Sequence, residues 1–158
     1  MTRLLTSAAA TALLGTAALA DDDDLGAYLY AADCGSLSGD AIVADVGDLD
    51  RDDDASDEWA RVSDAGAPQP DPLWSEDEDI DDVSADEIGG GGYAVAIHAT
   101  DDEDADVVAC GVLRGTLPFV AALDEVGGSG IEGRVAVGMD DDDELSLATT
   151  AFEVGAAD

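Results

Sequence analysis

Apolar positions along this chain come in short bursts, at Ala27–Ala32, Ala41–Val46, Tyr93–Ala99, Val107–Leu113, Phe119–Val126, Ile131–Met139 and Leu145–Phe152. Acidic breaks at 48–58, 76–87, 101–106 and 140–144 separate them. Bursts of this length, spaced by Gly and Asp, predict strands rather than helices. Alternation supports that reading. Ile131, Gly133, Val135, Val137 and Met139 fall on one face of a strand, and Glu132, Arg134, Ala136 and Gly138 on the other. Tyr93, Val95 and Ile97 likewise oppose Ala94, Ala96 and His98, while Val108, Cys110 and Val112 line up together. The run Asp140–Asp143 predicts a hairpin loop. The expected fold is all-β: one antiparallel Greek-key sandwich or flattened barrel of seven to eight strands, with long acidic loops.

The middle of the chain, about 49–92, reads differently. It holds Pro68, Pro70 and Pro72 and both tryptophans, Trp59 and Trp74. A long irregular excursion with one or two strands is expected there, with a short helical turn between Ile80 and Ile88. The run Gly89–Gly92 then joins it to the Tyr93 strand.

The first twenty residues read as a secretory signal. Arg3 supplies the positive start, Leu4–Ala17 the apolar stretch, and Ala18-Leu19-Ala20 the cleavage site. One mature domain, 21–158, is expected to follow in the periplasm or outside the cell, with no membrane span. The charge of the full chain is extreme: 39 acidic residues face five arginines and no lysine, a net charge of −34. Such a surface opposes compaction in dilute buffer and suits high salt, where repulsion is screened. It also makes nucleic acid and anionic membranes poor partners, since their phosphates are repelled, and no nucleic-acid partner is expected. The expectation is a monomer or weak oligomer whose ligand or partner the sequence does not name.

Two cysteines in an exported chain favour a disulfide, so Cys34 and Cys110 are expected to pair. Other chemistry is sparse. Asp48, Asp50, Asp52 and Asp54 alternate as in a calcium loop, but Asp53 stands where such a loop needs glycine and Trp59 where it needs glutamate. This is not an EF-hand. No cofactor is expected, with weak calcium or magnesium binding as the alternative. Gly128-Ser129-Gly130 lacks the context of a nucleophile elbow and reads as a turn. His98 is the only histidine. Its ordinary role would be at a strand end, in solvent or hydrogen-bonded to a loop.

The run AIHATDDEDADVVACGVL resembles the C-terminal part of copper/zinc superoxide dismutases, in which a strand ending in a copper-binding histidine leads through an acidic loop to an A-C-G-V segment. By that resemblance His98 is a remnant metal ligand, and Cys110 pairs with Cys34 after an earlier strand. Tyr28 and Tyr30 then stand where the family has its H-x-H copper ligands, Val107 where it has an arginine, and the zinc-loop histidines are missing. Uncharacterised secreted bacterial proteins with an H-I-H-E-G-T-C segment resemble it similarly, and Gly128–Gly133 looks like their N-G-S-G-x-x-G element.

The sequence therefore points to a non-enzymatic, salt-adapted extracytoplasmic domain with a structural or binding role. A degenerate or active metal-dependent dismutase and a divalent-cation binder are the competing expectations. Catalytic residues are expected to be absent.

Overall fold

A computed structural model describes residues 24–51, 73–81, 83–139 and 144–154. The expected leader, 1–20, lies outside the described residues. So do most of the span between the second and third strands and the tip of the 140–144 loop.

Eight antiparallel strands form one barrel-like sheet. They are β1 (Leu25–Tyr30), β2 (Ile42–Arg51), β3 (Leu73–Ile80), β4 (Tyr93–His98), β5 (Val107–Leu113), β6 (Phe119–Glu125), β7 (Ile131–Met139) and β8 (Leu145–Glu153). Around the barrel the order is β1-β2-β3-β8-β7-β6-β5-β4, closing from β4 to β1. The first three strands pair in sequence, and β4 returns to lie beside β1, which is the Greek-key order. Strands β4 to β8 then follow as a meander.

The core follows from the alternation. Leu29 of β1, Val95 and Ile97 of β4, Leu123 of β6, Val135 of β7 and Leu147 of β8 all point inward and are buried. The barrel is flattened enough for β4 and β7 to touch across it. A methyl on Gly133 would sit 2.9 Å from Ile97 Cδ1 and 3.0 Å from Leu123 Cδ1, so only glycine leaves room there. Eight strands give an interior that side chains can fill, and here they fill it.

Two details differ from the sequence reading, and the expected helical turn is present, displaced toward Gly89. The acidic stretches after residues 48 and 76 do not break strands at their start: β2 continues through Asp48 to Arg51, and all of Leu73–Ile80 is a strand. The reason is pairing. β3 lies against β8 along its whole length, from Leu73↔Phe152 to Ile80↔Leu145. Val108 joins the main core instead of sharing the outer face of Cys110, because the β4–β5 register shifts between Ile97 and His98. The helical turn is a five-residue helix, α1 (Ala85–Gly89), started by a capping box in which Ser84 and Glu87 bond each other's backbone N–H. Its Ile88 is buried in the core.

The loop Gly127–Gly130 turns β6 into β7, with Gly127, Gly128 and Gly130 at positive φ. Ser129 Oγ donates to the Val108 carbonyl at 2.7 Å, tying that turn to β5.

Candidate functional site

An antiparallel strand at a protein surface ordinarily keeps one face in water. Strand β1 does not: all six of its residues are buried. On β4, Val95 and Ile97 fill the barrel, yet the outward Ala94, Ala96 and His98 are buried too. Two loops do the covering. Segment 31–41, between β1 and β2, packs Ala32, Cys34, Leu37 and Ala41 against an outer cluster of Tyr28, Tyr30, Ala94, Ala96 and Cys110. Segment 99–106, between β4 and β5, folds back over Gly26, whose N–H donates to the Thr100 carbonyl at 3.1 Å.

The pairing of β1 with β4 explains why the three residues singled out from sequence meet. Gly26 pairs with His98, Tyr28 with Ala96 and Tyr30 with Ala94, so both tyrosines and the histidine lie on the same outer face. The small Ala96 leaves room for their rings. Tyr30 Oη lies 2.9 Å from His98 Nε2, across 68 residues of sequence. Those two rings are parallel within 2°, with centroids 6.1 Å apart. Tyr28 meets the imidazole edge-on at 5.0 Å and donates its hydroxyl to the Asp101 carbonyl at 2.6 Å.

Burial sets the protonation states. His98 is 2 % exposed, and burial lowers its pKa despite the opposing pull of the Ala105 carbonyl and Asp102. Among the described residues Nδ1 finds no hydrogen-bond partner, while the Ala105 backbone acts on the ring to favour its charged form. The consistent tautomer carries the proton on Nδ1 and accepts from Tyr30 at Nε2. Burial raises the Tyr30 pKa, with Glu103 adding to it. Tyr28 is pushed up to about 12, by burial first and then by Asp45, Asp48, Asp101 and Glu103. The cluster is therefore neutral at pH 7, set in a ring of carboxylates.

Copper, which the sequence resemblance implies, does not fit this donor set. A copper redox centre draws on several imidazoles, and the chain has one. The other two positions carry phenols held protonated by burial and by negative neighbours. Of the alternating aspartates, Asp48 and Asp50 belong to β2 rather than to a loop.

Cys34 and Cys110 are bonded, with Cα atoms 5.9 Å apart. The bond fastens segment 31–41 to the outer face of β5. What sequence reasoning missed is this covering role, and that of Asp101 and Ala105, which act through backbone carbonyls and leave no side-chain signal.

Compared with known proteins, the chain matches no family model, no curated protein and no solved structure. Among the described residues, no helix is long and apolar enough to cross a membrane.

Proposed function

We propose that this is a non-enzymatic, salt-adapted domain that works outside the cytoplasm in a structural or binding role. The observation that carries the reading is the Tyr30–His98 bond. The phenol of Tyr30 occupies Nε2 of the only imidazole in the chain, and the pair serves to fasten β1 to β4. The disulfide and the acidic surface support an exported protein in a salty medium. That surface also disfavours an anionic substrate such as superoxide.

The test is metal affinity and turnover. The mature protein, loaded with copper and zinc, should bind copper no better than a His98→Gln variant and show no dismutation above free copper. Tight copper binding with turnover would overturn the reading.

A second reading, a degenerate member of the dismutase-like metalloproteins, is favoured by one observation. The three positions that the resemblance names come together within 5.0 and 6.1 Å, ring centre to ring centre. Under it, Tyr28→His with Tyr30→His should restore copper affinity by at least about tenfold, or about 1.4 kcal/mol. No gain in the double variant, with the fold intact, would remove that reading.

A further inference from the structure

The barrel has two apolar clusters that differ in how they are held. The main core draws residues from all eight strands and is enclosed by the sheet itself. The outer cluster rests on β1, β4 and β5, with Ile42 at the start of β2 at its edge, and its lid is segment 31–41. That segment's hydrogen bonds are its own. Ser36 N–H and Oγ both reach the Asp33 carbonyl, Ala41 N–H reaches Ser38, and Ala31 N–H reaches Ala41 across the base. Among the described residues, none of its hydrogen bonds reaches β4 or β5. Its ties to the sheet are a few small apolar contacts and one covalent bond, Cys34–Cys110. Most of the segment is exposed, and Leu37 is its one large apolar anchor.

We propose that segment 31–41 is a strap latched by the Cys34–Cys110 disulfide, and that reduction by a dithiol opens it locally, uncovering the Tyr28–Tyr30–Ala94–Ala96 face while the barrel stays folded. The chemistry is ordinary exchange. A thiolate of the reductant attacks Cys34 Sγ, since Cys34 is half-buried and Cys110 is only 4 % exposed. The bond to Cys110 breaks and Cys110 leaves as a thiolate. The reductant's second thiol then displaces Cys34. Two electrons and two protons end on the two cysteines, and the reductant leaves as its own disulfide.

Opening is local because the two halves of the attachment are unequal. The ladders β1–β2 and β1–β4 do not involve the strap beyond its base at Ala31 and Ala41. Once the bond is gone, chain entropy acts on a segment anchored by Leu37, Ala32 and Ala41 alone. Tyr30 then loses part of its cover, and with it the seclusion of His98.

The experiment uses the full mature chain in high salt, oxidised and after dithiothreitol. Three quantities are read together: alkylation of Cys110, amide exchange in β7 and β8, and the imidazole proton signals of His98, unambiguous because it is the only histidine. The expected result is that Cys110 alkylates within about tenfold of an unfolded peptide thiol, as an open segment allows. At the same time the β7 and β8 amides stay protected and the His98 signals shift. A Cys34→Ser variant should show the same state without reductant. If Cys110 in the reduced protein stays unreactive, the strap holds without its latch and the proposal is wrong. If β7 and β8 lose protection together with Cys110, the bond supports the whole barrel, and the proposal is equally wrong.

Discussion

Thr149 shows how far single polar groups matter in this barrel. It lies on β8 opposite Val135, fully buried, and its hydroxyl finds no partner among the described residues. A buried unsatisfied hydroxyl costs about 1–3 kcal/mol. Thr149→Val should therefore stabilise the protein by about 1 kcal/mol, read from urea unfolding with an unchanged slope. Tyr30→Phe should act in the opposite direction, by about 1–3 kcal/mol, since it leaves His98 Nε2 buried and unpartnered. The pH dependence of the pair has a definite sign. Folding lowers the His98 pKa, so below about 6.5 the unfolded chain binds the proton more readily than the folded one. The contribution of His98 to stability is complete above that value and is lost as pH falls toward the folded pKa. Relative to a His98→Gln chain, the wild type should lose stability between neutral and mildly acid pH, and parallel curves would refute this. Tyr28 works at the other end. Its stabilisation is intact below about pH 10 and disappears as pH rises toward 12.

Among the elements, those legible in the sequence are the ones whose own residues carry the pattern. Strands β5 and β7 begin and end where their apolar runs do. Strand β3 was hidden because LWSEDEDI places four acidic residues in a row, and what makes it a strand is its ladder to β8, a long-range fact. The site was legible in its parts. Tyr28 and Tyr30 two apart share a face, and the cysteines imply a bridge. That β4 neighbours β1, and that two loops cover their outer face, depends on topology that no local pattern records. Gly26 is where this cover is tightest. A methyl there would lie 2.8 Å from the Thr100 carbonyl oxygen and 3.1 Å from Asp101 Cα. Gly26→Ala should cost about 1–3 kcal/mol by pushing segment 99–106 away. Gly39→Ala, with nothing within 4 Å, should stay within about 0.5 kcal/mol and serves as the control. Both are read by chemical denaturation.

For the whole molecule, charge is the dominant condition. With a net charge of −34, self-repulsion works against every contact described above. The Debye length falls from about 30 Å at 0.01 M salt to about 3 Å at 1 M. The melting temperature should rise by many degrees between those limits, and an equal osmolality of an uncharged solute should not reproduce the rise. A flat profile would show that the acidic surface is not what limits the fold.

The Cys34–Cys110 bond also decides how this molecule would bear a load. A chain pulled from its ends transmits force along its covalent path, and here that path crosses from Cys34 to Cys110 without passing through β2, β3 or β4. A separation of 76 residues is thereby withheld from extension, roughly 260 Å of contour at about 3.4 Å per residue. Under tension the oxidised protein should lengthen by only the remainder, from β1 and from the β5 to β8 meander, while the second to fourth strands stay as an unstretched bundle. Single-molecule stretching before and after reduction should differ by that hidden length. Wherever the protein meets shear or drag, one bond would thus set how much of the chain can be drawn out.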